Sequence, residues 1–310
     1  MLQWRLEGGS IVQHIREYIP YYPRIDDIIS FLMVSSIFTS FTGVMMLYFS
    51  FLILGVTLKP ILLCAMFFVI YSVYSLNRLT DQEEDAVNMP ARSLFVQGNE
   101  RFLLTLAIVS YVVALFLGWL ESPLAAIILL VPFMSGILYS KHLFSAIGIP
   151  RLKDIFLVKS FIVASSWTIC ASFLPALYLH NFVKLWFVFP FFFIKIFINT
   201  ILFDVRDVEG DMLNNVKTVP VVIGIARTRQ LLLIIQSMLV MWSIFFLDLF
   251  SGYYSILTIN MVYGYLYILY FCNDNHRKIS RDILVDGEWV IMSIWVWIYF
   301  GIDSCFKMFA

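Results

Sequence analysis

The chain alternates long apolar runs with short polar joints. Nine runs stand out, at residues 28–54, 60–76, 102–120, 123–140, 155–177, 182–203, 231–250, 253–272 and 289–309. A hydrocarbon core of roughly 30 Å takes about 20 apolar residues in helical form. Lipid offers no partner to a backbone amide, and the runs lack the alternation of barrel strands, so each predicts a membrane-spanning helix. Breakers fall at the joints: Pro60, Ser122-Pro123, Gly148-Ile149-Pro150 and Ser251-Gly252. The pattern therefore predicts an all-α polytopic membrane protein, a bundle of nine transmembrane helices over 28–310 behind an amphipathic N-terminal arm over 1–27.

Composition agrees. Of the 310 residues, 61% are hydrophobic and 14% charged, against roughly 45–50% and about 25% in soluble domains. The mean hydropathy is +0.87, more apolar surface than a water-soluble core can hide. The 21 basic and 21 acidic side chains cancel, which argues against a nucleic-acid partner. Cys64, Cys170, Cys272 and Cys305 lie in apolar segments with no C-x-x-C pair, so they read as free thiols. His14, His142, His180 and His276 have no metal-ligand spacing. Arg5, Glu7, Arg16, Glu17 and Arg24 precede an apolar run too long for a signal core, so no cleavable signal is expected.

Charge distribution sets an orientation. All the Lys and Arg except Lys59, Lys184, Lys195 and Lys307 fall in the N-terminal arm or in the joints after the second, fourth, sixth and eighth runs and their flanks. The positive-inside rule places these joints and the N-terminus in the cytoplasm, with the C-terminus outside, in an integral cell-membrane protein.

Two cytoplasmic segments carry the candidate chemistry. Asn77, Asp81 and Asp85 follow the second run at four-residue spacing, which puts all three on one helix face. Asp207 and Asp211 repeat that spacing after the sixth run, with Asp204 one turn earlier. Carboxylates stacked one turn apart repel unless a cation lies between them. The alternative, two solvated acidic loops, ignores their shared side and their position at helix ends. Hard oxygen ligands suit Mg²⁺, which completes its shell with water and phosphate oxygens. Asn77, Asp81, Asp85, Asp204, Asp207 and Asp211 are thus the candidate metal ligands. Four Asp and a diphosphate call for roughly two Mg²⁺, replaceable by Mn²⁺, and nearby Lys or Arg.

In these two motifs the chain resembles the UbiA superfamily of intramembrane prenyltransferases. The segment 204–224, DVRDVEGDMLNNVKTVPVVIG, is similar to the family's D-x-x-D-x-E-G-D followed by T-x-P-V-x-x-G, and Asn77-x3-Asp81-x3-Asp85 resembles its first motif. The resemblance implies a helical bundle around a central cavity and Mg²⁺-dependent transfer of a prenyl group from an isoprenyl diphosphate to a hydrophobic or aromatic acceptor, a quinone or isoprenoid-lipid precursor. It makes Asp81, Asp85, Asp207 and Asp211 catalytic, with Tyr139 beside them, and gives the diphosphate to Asn77, Arg92, Lys141, Lys153 and Arg206. The family's N-R-P-x-R-P becomes Asn88-Met89-Pro90-Ala91-Arg92-Ser93, keeping Asn88, Pro90 and Arg92. Its Y-x-x-x-K is half present: Tyr139 is followed by Leu143, so Lys141 or Lys153 has to supply the charge.

Lys195 and Asp303 are the ionisable residues deepest in the runs, which marks them for function by default. On an unbroken helix Lys195 faces roughly 180° from Asp204, away from the diphosphate, so pairing within the bundle is its alternative. A transporter using the acidic pairs as cation sites is the rival reading, though such sites lie near the bilayer midplane on broken helices. A phosphatidyl-alcohol transferase ranks lower because its D-G-x-x-A-R start is missing.

Overall fold

The computed structural model describes residues 30–140, 155–214, 216–272 and 278–309, with helix as the regular structure throughout and no strand among the described residues. Nine long helices match the nine apolar runs: α1 (Ile37–Leu54), α2 (Pro60–Thr80), α5 (Glu100–Glu121), α6 (Pro123–Ser140), α7 (Val158–Ala176), α8 (Leu185–Arg206), α11 (Ile225–Phe245), α12 (Tyr254–Phe271) and α14 (Glu288–Phe309). Short helices fill the joints: α3 (Gln82–Asn88), α4 (Pro90–Val96), α9 (Val208–Leu213), α10 (Val219–Ile223) and α13 (Lys278–Asp286). Seven helices of the described residues are long and apolar enough to cross a membrane on that measure alone; α6, apolar over Pro123–Gly136, is a shorter one.

Each long helix packs on the next, α1 on α2, α2 on α5 and so round to α14, which closes against α1. The ring is tied inside by aromatic stacking, with Trp289 of α14 lying 5.1 Å from Phe192 of α8 and 6.0 Å from Phe49 of α1. Lys195 is fully buried in this interior and pairs with Glu288, which also accepts from Asn260 Nδ2 at 2.8 Å. Its ammonium donates to the Tyr267 hydroxyl at 2.9 Å as well. A buried charge left without its partner costs several kcal/mol, so this cluster fixes α8, α12 and α14 together.

Two boundaries differ most from the sequence expectation. The first run, expected as one helix over 28–54, breaks at Ser36, whose φ of 68° is left-handed. The cause lies far along the chain: Arg78, buried at the end of α2, donates to the carbonyls of Val34 and Met33, capping the helical stretch before the break. The seventh helix begins at Ile225 rather than 231, because Gly224 supplies the φ of 81° that starts it. Its first turns carry the exposed Arg227 and half-buried Arg229, so this end of the helix is more polar than the apolar run that follows.

Candidate active site

Both aspartate motifs sit on one backbone device. α2 stops at Thr80, Asp81 takes φ −107° and ψ 28°, and α3 restarts the helix. α8 stops at Arg206, Asp207 takes φ −100° and ψ 9°, and α9 follows. The four-residue hydrogen bonds run through both kinks, from Asp81 N to Asn77 O, Asp85 N to Asp81 O and Asp211 N to Asp207 O, each 2.9 Å. The motif side chains therefore keep their one-turn spacing while the helix axis bends. α3 and α9 meet where Gly210 N donates to Asn88 Oδ1 at 3.0 Å. A Cβ at Gly210 would collide with that amide, which explains the glycine in D-x-x-D-x-E-G-D.

The motifs face each other across a cavity of about 220 Å³ at this end of the ring, and all six of Asn77, Asp81, Asp85, Asp204, Asp207 and Asp211 line it. Arg92 lines it too, 3.4 Å from Asp85. Arg206 spends its guanidinium on Asp207, at 2.6 and 2.7 Å, and on Asp282 at 2.5 Å. Tyr139 ends α6 with its side chain outside what the structure describes, and Lys141 and Lys153 lie outside the described residues. The side chain of Asp303 does as well.

Three charged lining residues besides Arg78 escaped the sequence reading as site residues. Lys159 of α7 pairs with buried Asp204 at 2.8 Å, supported by the Ser160 hydroxyl at 3.2 Å. Asp282 and Asp286 reach the cavity from α13, a segment expected as loop. Their four-residue spacing repeats that of both motifs and was the available signal. Beneath the charges the walls turn apolar and aromatic, with Tyr74 stacked on Trp167 at 5.9 Å beside Phe203.

Seven carboxylates and four cations (Arg78, Arg92, Lys159 and Arg206) line the cavity, an excess of three negative charges. Burial pushes the Asp211 carboxyl up to about 7. Burial, with Asp282 nearby, does the same to Asp286. Burial also raises Asp85, against the pull of Arg92. Burial would raise Asp207 likewise, but Arg206 holds it below the ordinary range. Asp211 Oδ2 is buried without a hydrogen bond of proper geometry. Among the described residues no three of His, Cys, Asp and Glu converge to hold an ion unaided. That fits Mg²⁺, which takes one or two carboxylates and fills its shell with water and phosphate oxygens. Asp81 and Asp85 on one wall and Asp207 and Asp211 on the other could hold it together with a bound diphosphate.

The profile of the UbiA prenyltransferase family matches residues 36–295. No curated protein matches the chain. Among solved structures, a UbiA homolog from Archaeoglobus fulgidus bound to GPP and Mg²⁺ superposes with a TM-score of 0.61 at 16% identity, over 89% of this chain and 99% of its own. The apo UbiA homolog from Aeropyrum pernix K1 gives 0.62 at 11% identity, over 86% and 98%. A structure described as that of digeranylgeranylglyceryl phosphate synthase gives 0.55 at 16%, over 88% and 96%. At such identities the likeness speaks for the fold, and the profile, spanning most of the sequence, speaks for the family: the chain belongs to the UbiA prenyltransferase family.

Proposed function

We propose that this protein transfers a prenyl group from an isoprenyl diphosphate to a hydrophobic or aromatic acceptor within the membrane, in a Mg²⁺-dependent reaction. The observation that carries the reading is the meeting of two aspartate motifs, more than a hundred residues apart, across one carboxylate-rich cavity. The Archaeoglobus fulgidus homolog with GPP and Mg²⁺ supports the donor and the ion.

In this reading Asp81, Asp85, Asp207 and Asp211 hold the metal, with Asn77 as a neutral ligand and Asp204 behind them, tied to Lys159. Mg²⁺ supplies the positive charge that a leaving diphosphate needs. Arg92, whose Nε is buried without a partner, donates to the diphosphate. Lys159, paired with Asp204, adds a second positive charge to the cavity lining. Arg206, spent on Asp207 and Asp282, positions carboxylates instead of binding the diphosphate directly. Transfer breaks the C1–O bond, whose electron pair leaves on the diphosphate. The acceptor atom that bonds C1 gives up one proton, released among the cavity carboxylates. The ring faces of Tyr74 and Trp167 stabilise positive charge at C1, and the apolar walls keep out water that would capture it.

In this reading the end of the ring that carries the basic joints faces the cytoplasm, as the positive-inside rule expects, and there soluble synthases deliver the diphosphate. Purified protein given geranylgeranyl diphosphate should release diphosphate with Mg²⁺ or Mn²⁺ and stop with EDTA. Full activity after exhaustive chelation would exclude the reading, and ion movement without diphosphate release would favour a transporter. Cysteines at Gln82 and Asn214, in a background without native cysteines, should both react with an impermeant maleimide from the cytoplasmic face alone. Labelling from opposite faces would separate the motifs and end the assignment.

A further inference from the structure

A smaller cavity of about 70 Å³ adjoins the large one, walled by α1, α2, α7, α8 and α14. The two share seven residues along their border, among them Thr39, Tyr74, Trp167, Thr200, Phe203 and Asp286. Past that border the small cavity is closed by Gly43, Met46, Ile70 and Trp289, all buried. At roughly 10–15 Å³ per enclosed water it has room for about five waters, the space of one six-membered ring.

Its lining is mixed: apolar and aromatic side chains predominate, with a polar minority among them. Asn199 of α8 is 5% exposed, and its Oδ1 is buried with no hydrogen-bond partner. Thr39, Thr42 and Thr200 line the same space. A buried amide oxygen without a partner is unfavourable unless something else donates to it, and a hydroxyl can make that donation. The charge inventory is equally specific. Among the described residues, Asp286 is the one charged residue lining this cavity and no Lys or Arg lines it. Of the cations of the neighbouring cavity, Arg206 is committed to Asp207 and Asp282 and Lys159 to Asp204. Arg78 donates to the carbonyls of Val34 and Met33, and Arg92 is taken by Asp85 and the proposed diphosphate. The nearest buried ammonium along α8, Lys195, is held by Glu288.

We infer that the small cavity is the acceptor site, that Asn199 binds a hydroxyl of the acceptor, and that the part of the acceptor entering it is a single uncharged ring or a group of that size. The inference rests on the larger cavity being the donor site, where Val73, Pro132 and Ile162 offer the prenyl chain apolar walls. It excludes an acceptor that puts a carboxylate or phosphate into the small cavity, where ionised Asp286 would repel it and no cation among the described lining residues would receive it. It also sets the acceptor atom beside Tyr74 and Trp167, on the border where C1 of the donor would lie.

The test compares two phenols that differ in charge. Hydroquinone and 4-hydroxybenzoate are titrated into the protein by calorimetry, with Mg²⁺ and geranyl S-thiolodiphosphate, an unreactive donor analogue, already bound. Hydroquinone should bind at least tenfold more tightly than 4-hydroxybenzoate. Asn199→Leu should weaken hydroquinone about tenfold, whereas Asp286→Asn should narrow the gap by strengthening 4-hydroxybenzoate. Retained Mg²⁺-dependent binding of the thiolodiphosphate by Asn199→Leu checks that the variant is folded; if it is lost, Asn199→Ser replaces it, with the same weakening expected. Equal or tighter binding of 4-hydroxybenzoate, or hydroquinone binding indifferent to Asn199, overturns the inference. Failure of the donor reading looks different: the wild type would not bind the thiolodiphosphate in a Mg²⁺-dependent way, whatever the phenols do.

Discussion

Asp81 and Asp207 occupy equivalent kinks, each joining a long helix to a short one with nearly the same φ and ψ. Their surroundings differ. Asp81 and Asp85 are half-buried, and Asp85 has a long 3.4 Å contact with Arg92. In the second motif Asp204 and Asp211 are each 3% exposed, and Asp207 is gripped at both oxygens by Arg206, which also holds Asp282. One backbone device thus carries two electrostatic designs. The first motif is open to rearrangement around a ligand, while much of the second is an ion-pair network that the fold itself depends on.

The sharpest way to break this contrast is to remove carboxylates one at a time. Asp81→Asn and Asp211→Asn should each lower turnover by about 10³-fold, since charge stabilisation of the leaving group is the dominant contribution. Neither should unfold the protein. Asp211→Asn should even raise the melting temperature of the metal-free protein at pH 8. Burial pushes the Asp211 carboxyl up to about 7, so above that pH the folded state holds a charge it disfavours and the amide lacks. Turnover with labelled diphosphate and thermal unfolding in detergent check both points; a lower melting temperature for Asp211→Asn would contradict the account of its burial.

Removing a cation should do the reverse. Arg206→Met strands Asp207 and Asp282 and should cost about 3–5 kcal/mol of stability. Lys159→Met should cost less, because that lysine is 26% exposed and screened. Unfolding curves for the two beside Asp81→Asn would erase the contrast if all three lost the same.

Acidity gives a subtler probe. Asp211 and Asp286 are both pushed up to about 7 by burial. Mg²⁺ binding needs the ionised form of a ligand and displaces its proton below that pH. Mg²⁺-dependent binding of the thiolodiphosphate should therefore strengthen as pH rises from 5.5 to about 7 and level off above, with a shallower rise in Asp211→Asn. Calorimetry across this range measures it, and a flat wild-type profile would remove Asp211 from the site. The smallest effect belongs to the seam between the motifs: Gly210→Ala pushes on the Asn88 amide and should cost about 1–3 kcal/mol, read from thermal unfolding with both motifs intact.

How much of this the sequence disclosed follows from the range of the interactions involved. Hydrophobic run length is local, so all nine long helices were visible, and α6 has the expected bounds of 123–140. The break at Ser36 was hidden because its cause, Arg78, is far away in sequence and leaves the run as apolar as before. The motif aspartates were legible from their four-residue repeat. Asp282 and Asp286 show the same repeat but stand in a short amphipathic helix set apart from the end of the eighth run, so the segment read as a polar joint. Lys159 was visible only as one more basic residue, since nothing near it in sequence announces Asp204. Asn199 carries no signal at all: its interest lies in lacking a partner, a property of three-dimensional packing.

The hydrogen bond from Gly210 to Asn88 joins residues 122 positions apart. Contacts of such separation form late, after the loop between them has been closed at an entropic cost. A chain emerging from the ribosome can insert α1, α2 and α5 and still carry only one wall of the cavity. Its first-motif carboxylates then repel one another with no opposing wall, which discourages a stable half-site. Assembly of the site thus records completion of the ring through α8, and a chain halted before residue 210 is inert however well its early helices have folded.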